Sequence, residues 1–531
     1  MSKFYITTPI YYVNAKPHLG SAYTTIAADI LARYHRLRDE EVFFLTGTDE
    51  HGVKIAEAAK EQGKSPKEWC DENAARYQLV WDQLQISYNH FIRTTDPYHE
   101  EAVAKIVQTL YDKNLIYKGV YSGLYCVGCE RYYTQKELVD GKCPDHQKEP
   151  ISLSEDCYFF KLSAFQEPLL ELIGFGDWVI EPTERRNEVL GFLKSEKLED
   201  LAISRSKVEW GVPLSWDDSQ TIYVWIDALL NYLTGLGWDG QNNSKFKTKV
   251  PEHTAPVCSV LGRAQKICAL VQNSKLRYWP PDVQLIGKDI LRFHAVIWPA
   301  LLLALEIPLP KKLFVHGFFT VNSQKMSKSL GNVIDPEEMI NIFGSDATRY
   351  LLISAFPFGQ DGDISMAKFY DRYNADLANG IGNLVARVLA LATKMQNEKC
   401  KMQNDKSKFK NEIEKVWQKY EKALEKLAFE EATKTVLDFV AFCDRYVNET
   451  KPWKLAKDDL AKFQEVIYNL LEGLRQLAWL IMPFMPNMSD KIFEQLGILS
   501  GEKKKSLKEA KEWGSVEFKK IERSQILFPR I

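Results

Sequence analysis

The sequence predicts an α/β fold in which a doubly wound, Rossmann-like parallel sheet is interrupted by a small inserted domain and followed by a C-terminal α-helical bundle. Strand and helix patterns alternate over residues 1–115, as in parallel sheets covered by helices on both faces. Short turns carrying three cysteines and a histidine then appear between residues 126 and 146. From Phe369 onward helical periodicities dominate, which predicts a bundle of about five helices.

The length of the chain predicts several domains, because 531 residues exceed the roughly 250–300 that one hydrophobic core supports. The element patterns divide it into five segments. These are residues 1–115 and 221–320, the two halves of the Rossmann-like domain; 116–220, the insert; 321–370, a flexible loop and the segment after it; and 371–531, the helical domain.

Composition excludes some functional classes. The net charge is −2, so any RNA binding must come from local basic patches and not from a global positive field. The chain start lacks a signal-peptide pattern, and the longest apolar run, Ala295–Leu305, is too short to span a bilayer. Nine cysteines in a chain this long indicate reduced thiols. We therefore expect a cytoplasmic protein that does not enter a membrane.

A strand–turn–helix pattern at the N-terminus predicts an anion site. Residues 4–10 are rich in β-forming residues, and apolar residues recur at helical spacing from Leu19. Gly20 then lies in the first helical turn, where free backbone N–H groups and the helix dipole favour a phosphate. His18 can donate a hydrogen bond to that phosphate, and Gly20 lets a nucleotide approach the backbone closely.

The segment Lys325-Met326-Ser327-Lys328-Ser329 predicts a mobile cationic loop. A lysine ammonium is a compact charge well matched to phosphate oxygens, and small neighbouring residues let a loop open and close. An exposed surface loop without function would have the same composition. The N-terminal phosphate motif favours the functional interpretation.

Two further clusters follow predicted strands. Asp49 comes after the buried strand Val42–Thr46, where it can bind a ligand at the sheet edge, act as a helix N-cap, or do both. The segment 221–227 has a buried-strand pattern and is followed by helix-forming residues, and Trp225, Ala228 and Tyr232 share one side of this junction. A similar cluster contains Gly287–Ile290, His294 and Trp298. Core packing is the ordinary role of such aromatic stripes, but their position beside the nucleotide motifs favours a pocket.

The residues Cys126, Cys129, Cys143 and His146 have the spacing of a tetrahedral zinc site. Four protein ligands leave no open position, so we expect one structural Zn²⁺ and a zinc-knuckle fold for the insert. Reduced cysteines scattered near a surface histidine are the alternative. Cys157 falls outside the pattern and is expected to be a buried small hydrophobe.

The last third contains candidates for nucleic-acid recognition. Asn383 and Arg387 lie one turn apart on a predicted helix, and Trp453 follows a proline between two lysines. Unpaired bases are recognised by aromatic stacking and by hydrogen bonds to their edges. Core packing is the alternative for Trp453. The stretch 239–282 holds a basic helix, either a surface excursion or a nucleic-acid contact, and the sequence does not decide between them.

These motifs resemble those of class I aminoacyl-tRNA synthetases, and within that class the methionyl-tRNA synthetase family. His18 to Ser21 is similar to the class's His-Ile-Gly-His signature, with Ser21 where the family usually has a second histidine. Residues 325–329 match its Lys-Met-Ser-Lys-Ser signature, and residues 126–146 are similar to the zinc knuckle of its bacterial, single-zinc members. The resemblance implies an ATP-dependent ligase that joins methionine to tRNA(Met), uses Mg²⁺ and acts as a monomer.

The resemblance also implies roles for individual residues. Catalysis would use His18, Ser21, Lys325 and Lys328. ATP would contact His18, Gly20, Asp289, His316, Phe319, Lys325 and Lys328. Methionine would contact Ile10, Tyr12, Asp49, Trp225, Ala228, Tyr232, Ile290, His294 and Trp298, a largely aromatic set that suits a polarizable thioether. The anticodon would contact Asn383, Arg387 and Trp453.

Two alternatives remain at this point. The chain could be a class I ligase for another amino acid. It could also be a tRNA-binding relative without catalytic activity, because a serine at position 21 carries no cationic charge and reaches less far than histidine.

Overall fold

The computed structural model describes residues 2–126, 131–133, 138–144, 147–206, 208–240, 275–321, 324–325, 334–393, 408–518, 521 and 526–531. The N-terminal part contains three strands and four helices. The strands are β1, Lys3–Tyr12; β2, Glu41–Asp49; and β3, His90–Arg93. The helices are α1, Leu19–Leu37; α2, Val53–Glu61; α3, Pro66–Gln83; and α4, Pro97–Asp112.

These strands belong to a six-stranded sheet in which every pairing is parallel. Its order is β3, β2, β1, Val283–Gly287, Lys312–His316 and Val179–Glu181. The strand order reverses between β1 and Val283–Gly287, and such a switch point opens a crevice at the carboxyl ends of the strands. The predicted Rossmann-like sheet is confirmed. Its edge strand Val179–Glu181 lies within residues 116–220, which the sequence assigned to the insert.

Successive side chains of a strand point to opposite faces of the sheet. Here both faces are buried, each in a different hydrophobic core. Phe4 and Ile6 of β1 belong to the hydrophobic core that also contains α1 and the C-terminal helices. Tyr5 belongs to a second core on the other face, together with α4 and the apolar residues of the insert. Near-continuous apolar strands of this kind are typical of a sheet covered on both sides.

The insert is built on antiparallel pairs. Ile116–Cys126 pairs with both Arg131–Tyr133 and Ile151–Phe160, and the latter pairs with Leu201–Ala202. A three-stranded sheet contains Ser204–Arg205, Pro213–Leu214 and Asp217–Ile222. The helices are Gln166–Phe175 and Thr183–Ser195, preceded by the 3₁₀ turn Leu162–Phe165. Cys157 is fully buried, as predicted.

The segment after the insert differs from its prediction. The strand predicted at 221–227 is wrong beyond Ile222, because Val224–Leu229 and Asn231–Thr234 are helices. The remaining elements up to residue 304 are the 3₁₀ turns Lys275–Tyr278 and Lys288–Ile290, the π-helical turn Phe293–Ile297 and the helix Trp298–Ala304. Of the stretch 239–282, residues 241–274 lie outside the described residues.

A third small sheet follows, with Phe319–Val321 between Gln324–Lys325 and Gly362–Ile364. The helices Pro336–Phe343 and Ser345–Ile353 connect it to the C-terminal bundle. Arg349 on the second of these helices is fully buried, forms an ion pair with Asp29 of α1 at 2.7 Å, and donates to the carbonyls of Pro483 and Phe484. One guanidinium thus joins the sheet domain to the bundle.

The C-terminal bundle begins with an unbroken helical stretch, Met366–Arg372, the π-helical Tyr373–Gly382 and Asn383–Ala392. It continues with Lys408–Glu425, Phe429–Thr450, Pro452–Asp458, Leu460–Ile481, Pro486–Gln495, Leu499–Glu502 and Leu507–Ala510. The predicted helical bundle is confirmed. None of the helices in the described part of the chain is long and apolar enough to cross a membrane.

Candidate active site and anticodon-binding face

A cavity of about 410 Å³ opens at the switch point of the parallel sheet. It is lined by the ends of β1 and β2, the first turn of α1, the helices at 224–234 and the segments that follow the strands ending at Gly287 and His316. The residues singled out in the sequence that line it are Ile10, Tyr12, His18, Gly20, Ser21, Asp49, Trp225, Ala228, Tyr232, Asp289, Ile290, His294, His316 and Phe319. The fold thus brings together residues from five separate parts of the chain.

The first turn of α1 is closed by a capping box between His18 and Ser21. The backbone N–H of Ser21 donates to Nδ1 of His18 at 3.2 Å, and the N–H of His18 donates to Oγ of Ser21 at 3.1 Å. Because Nδ1 accepts, the ring proton is on Nε2. A Cβ at Gly20 would lie 3.0 Å from Cε1 of His18, so glycine allows this ring position.

Ser21 is almost completely buried, and its hydroxyl donates to the carbonyl of His18 at 2.7 Å. A hydroxyl has one hydrogen, so in this arrangement it is not available for a phosphate. Donation of a hydrogen bond from Ser21 to a phosphate would require this bond to break.

His316 links one side of the cavity to α1. Burial lowers the pKa of His316 to about 4, so the ring is neutral near pH 7. Its Nδ1 donates to the carbonyl of Gly317 at 2.8 Å, and its Nε2 accepts from the hydroxyl of Thr24 at 2.7 Å. Sequence reasoning missed Thr24, although it follows Gly20 by one helical turn and therefore shares its face.

The loop at Gly317 is fixed from outside the cavity. A Cβ at Gly317 would lie 2.2 Å from the backbone of Gln360, so only glycine allows this close approach. Asp361 accepts from the N–H of Phe318 at 2.8 Å and from Nζ of Lys288 at 2.5 Å. Lys288 directly precedes Asp289, which is exposed at the cavity.

The opposite side of the cavity is apolar and aromatic. Trp225 stacks on Phe293 with ring centroids 3.6 Å apart. Burial lowers the pKa of His294 to about 4, and the neutral ring donates from Nδ1 to the carbonyl of Ile290 at 3.1 Å. Its Nε2 therefore accepts from the hydroxyl of Tyr232 at 2.7 Å. Sequence reasoning missed Phe293, which supports the Trp225 ring but is not among the residues that line the cavity.

Trp298 is the one predicted pocket residue, among those that the structure describes, that does not line the cavity. It is fully buried and packs behind Tyr232, with ring centroids 5.6 Å apart. Asp49 ends β2 and lines the cavity, whereas α2 begins after Gly52 without a side-chain cap. The interpretation of Asp49 as a helix N-cap is therefore wrong.

The described residues on either side of the lysine segment contact residues that line or adjoin the cavity. Lys328 and the side chain of Lys325 lie outside the described residues, but the backbone of Lys325 pairs with Thr320, next to the cavity residue Phe319. After the segment, Asp335 caps the helix Pro336–Phe343 and forms an ion pair with Lys16, another cavity residue. Lys325 and Asp335, which flank the undescribed residues 326–333, are thus held next to Phe319 and by Lys16 respectively.

Two of the four predicted zinc ligands are described. Cys126 and Cys143 are buried and belong to one small cluster with Tyr133. Cys129 and His146 lie outside the described residues. Within the described part of the chain, no group of three or more potential ligands could hold a metal ion.

The predicted anticodon residues lie on the surface of the bundle, and we call Asn383, Arg387 and Trp453 the helical face. Asn383 is exposed on the helix Asn383–Ala392. Arg387 donates to Oδ1 of Asn448 at 2.6 Å, near the end of the helix Phe429–Thr450. Trp453 follows that end and is 41% exposed, so its interpretation as a core residue is wrong.

Comparisons with known proteins agree with this geometry. The family described as "tRNA synthetases class I (M)" matches residues 4–152 and 146–389, and the "Anticodon-binding domain of tRNA ligase" matches residues 407–527. The chain is 43% identical to a methionine–tRNA ligase of Caldanaerobacter subterraneus over 99% of its own length and 79% of the relative's. It is 39% identical to the methionine–tRNA ligase of Bacillus subtilis over 99% of its own length and 78% of the relative's.

A solved structure gives the same result. The Mycobacterium tuberculosis methionyl-tRNA synthetase in complex with methionyl-adenylate has a TM-score of 0.89 and 34% sequence identity, and the match covers 100% of both chains. Identity and structural similarity of this extent identify a family and not merely a fold. The chain belongs to the methionyl-tRNA synthetase family of the class I aminoacyl-tRNA synthetases.

Proposed function

We propose that the protein is an ATP-dependent methionine–tRNA ligase of protein biosynthesis. In the first step the methionine carboxylate attacks the α-phosphorus of ATP, giving methionyl-adenylate and pyrophosphate. In the second step the terminal ribose hydroxyl of tRNA(Met) attacks the activated carbonyl and AMP leaves. The observation that carries the proposal is the single cavity in which a helix tip with His18 faces an apolar, aromatic wall.

The apolar wall supports methionine as the amino acid. The side chains are those of Ile10, Tyr12, Trp225, Ala228, Tyr232, Ile290 and His294, with Trp298 behind them. A thioether is apolar and polarizable, and it binds favourably near ring edges. Because His294 is neutral at pH 7, it places no charge beside that side chain. Asp49 would bind the α-ammonium group of methionine.

The opposite side of the cavity supports ATP binding. His18 and Gly20 would contact the phosphates at the N-terminus of α1. Asp289 would bind the ribose, with His316 and Phe319 also touching the nucleotide. Lys325 and Lys328 would hold the charge of the departing pyrophosphate together with Mg²⁺. No residue is needed as a covalent nucleophile, because positioning and charge stabilisation suffice for both steps.

The helical face supports recognition of the tRNA anticodon. The exposed ring of Trp453 offers a surface on which an unpaired base can stack. Asn383 and Arg387 offer an amide and a guanidinium to base edges. The five segments predicted from the sequence would then be the two catalytic halves, the insert, the signature loop with its stem-contact segment, and the anticodon-binding domain.

A structural zinc ion in the insert is part of the proposal. Cys126 and Cys143 fit this role, because both are buried in one cluster and a zinc site needs closely spaced thiolates. Cys129 and His146 would complete a closed tetrahedral site that stabilises the insert and takes no part in the reaction. We also propose that the protein is a cytoplasmic monomer, and the buried thiols of Cys70, Cys157 and Cys443 are consistent with a reducing compartment.

The test is ATP–pyrophosphate exchange measured with each of the twenty amino acids, followed by charging of tRNA(Met). We expect exchange to depend on methionine and charging to follow it. Exchange stimulated best by a different amino acid would indicate a class I ligase of another specificity. Binding of tRNA without any exchange would indicate a relative without catalytic activity.

A further inference from the structure

A buried carboxylate outside the cavity joins two histidines. Asp227 lies on the helix Val224–Leu229 and is 1% exposed. Its Oδ2 accepts from Nδ1 of His51 at 2.7 Å, and its Oδ1 accepts from Nε2 of His99 at 2.9 Å. His51 and His99 are also buried, and none of the three is among the residues that line the cavity. We call these three residues the Asp227 cluster.

The residues of the Asp227 cluster and their partners lie within a few positions, along the chain, of residues on the methionine side of the cavity. His51 follows Asp49 by two residues at the end of β2, and Asp227 lies between Trp225 and Ala228. Nδ1 of His99, on α4, lies 2.6 Å from Oγ1 of Thr234, two residues after Tyr232. The cluster therefore connects the three elements that carry Asp49, Trp225 and Tyr232.

The charges within the cluster favour a fixed geometry. Burial would raise the pKa of Asp227, but His51 and His99 outweigh it and lower the pKa to about 2. Burial would lower the pKa of His51, but Asp227, Glu100 and Asp49 together raise it to about 10. A carboxylate and an imidazolium thus face each other at neutral pH, and a buried charged hydrogen bond of this kind resists displacement.

Both ring nitrogens of His51 have a partner, Asp227 for Nδ1 and Glu100 for Nε2. Nε2 lies 3.2 Å from Oε1 of Glu100 on α4, and the indole of Trp210 contacts the ring at its edge, with centroids 5.6 Å apart. His51 is therefore fixed by α4 and by the helix Val224–Leu229 at once. Asp49 lies two residues before His51, so the backbone between them restricts the position of Asp49 as well.

We propose that Asp227 is a positioning residue for methionine binding. Through His51 and His99 it holds the aromatic wall at Trp225 and Ala228 at a set distance from Asp49, so that the side chain and the ammonium group of methionine are bound together. This inference rests on the proposed function. A displacement of about 1 Å in such a site lowers activity by up to about 100-fold, although the displaced group never touches the substrate.

The experiment is ATP–pyrophosphate exchange with purified Asp227→Asn and the wild-type chain in parallel. The asparagine has the same shape but no charge, and it cannot accept from both histidines with two oxygens. We expect the KM for methionine to rise roughly tenfold to 100-fold, with the KM for ATP changed less than about twofold. A KM for methionine equal to the wild-type value, or equal losses in both KM values, would overturn the proposal.

A second pair of variants keeps the test decisive if Asp227→Asn does not fold. The amide nitrogen of His99→Gln reaches the position of Nε2 and keeps the hydrogen bond to Asp227, whereas His99→Leu removes it. We expect a near-normal KM for methionine in the first and a raised one in the second. Equal values in the two variants would contradict the proposal.

The matched control is Glu472→Gln, which removes a buried carboxylate that pairs with Arg475 in the bundle, far along the chain from the cavity. It should lower stability and leave the KM for methionine unchanged. Absence of methionine-dependent exchange in the wild-type chain would refute the proposed function and this inference with it. Wild-type exchange with an unchanged Asp227→Asn variant would refute this inference alone.

Discussion

The cavity and the helical face are built in opposite ways. In the cavity the polar side chains are hydrogen-bonded within the protein before any ligand arrives, as the His18 ring is to the backbone of Ser21 and the His294 ring is to the hydroxyl of Tyr232. On the helical face Trp453 is 41% exposed, and Arg387 contacts other surface groups. A small molecule is thus expected to meet a preorganised cavity, and a macromolecule an open surface.

This difference has an energetic consequence. A side chain that both shapes a buried cavity and contacts a ligand affects stability and binding together, because its removal leaves unsatisfied partners. A side chain on an exposed face affects binding alone, since solvent replaces it at little cost. The four predictions that follow test this contrast, beginning with the largest effect.

Removal of the His18 ring should give the largest effect. His18→Ala deletes the donor at the N-terminus of α1 and one half of its capping box. We expect kcat for ATP–pyrophosphate exchange to fall by about 100- to 1000-fold, as for loss of one preorganised donor to a developing charge. Thermal unfolding should show a loss of about 1 kcal/mol from the missing cap.

His90→Ala is the matched control, because His90 starts β3 and hydrogen-bonds to the hydroxyl of Tyr98 away from the cavity. It should leave exchange within a factor of two of the wild type. Comparable activity in the two variants would mean that the α1 tip does not contact the transferring phosphate.

The second prediction is that a fall in pH destabilises the fold around the cavity before it destabilises the helical bundle. The pKa values of His294 and His316 are lowered by burial from 6.5 to about 4. Between pH 6.5 and 4 the unfolded chain therefore binds protons that the folded chain does not, and stability falls as pH falls. The loss should be on the order of a few kcal/mol.

The pKa shift of His51 changes stability with pH in the opposite direction. Its pKa is raised to about 10, so its contribution is complete below pH 6.5 and declines as pH rises toward 10. The stability of the cavity region should therefore peak near pH 6.5. In the bundle, burial raises the pKa of Glu502 but Arg475 outweighs it, so the pKa lies below the usual 4.5 and this ion pair does not titrate over the same range.

Hydrogen exchange, corrected for the intrinsic effect of pH and measured at pH 5, 6.5 and 9, would resolve the two regions. Peptides from α1 and from residues 283–304 should lose protection on both sides of pH 6.5. Peptides from the helix Leu460–Ile481 should not. The same pH profile in both regions would contradict the contrast between them.

The third prediction concerns the exposed face. Trp453→Ala should raise the KM for tRNA(Met) by roughly tenfold to 100-fold, because stacking on an aromatic ring contributes about 1–3 kcal/mol per base. Methionine-dependent exchange should be unchanged, and the free energy of unfolding should stay within about 0.5 kcal/mol of the wild type. Initial rates of tRNA charging and a denaturant titration measure the two effects.

Phe175→Ala removes another exposed ring, 76% accessible, from the insert and serves as the control. It should leave the KM for tRNA(Met) unchanged. Trp453→Ala with normal tRNA charging would remove the helical face from the proposed function without affecting the cavity.

The parts of the site that the sequence predicted are those with local signals. The end of β1, Gly20 and the start of α1 follow from composition and spacing over about twenty residues, and the structure has them as expected. The strand predicted at 221–227 was wrong beyond Ile222, because the residues from Tyr223 to Ile226 are apolar enough for either a buried strand or a buried helix. Tertiary contacts decided between them, and these include the hydrogen bonds of Asp227.

The parts that could not be predicted depend on contacts between distant residues. Asp227 is 176 residues from His51 and 128 from His99, so no spacing rule reveals the cluster. Ser21 shows a different limit. Its position in the motif was clear, but whether its hydroxyl faces a phosphate or the carbonyl of His18 depends on atomic geometry.

The smallest predicted effect is that of Ser21→Ala. The variant loses the two hydrogen bonds that its side chain makes with the backbone of His18, while the bond from its N–H to the His18 ring remains. We expect a stability loss of about 1 kcal/mol and less than a tenfold fall in kcat for exchange. Ser65→Ala, in the capping box of α3, should cost similar stability without any change in exchange. A fall of 100-fold or more in Ser21→Ala would instead mean that the hydroxyl leaves His18 and donates directly to the phosphate in the transition state, because support of a neighbouring ring through its backbone cannot account for so large a loss.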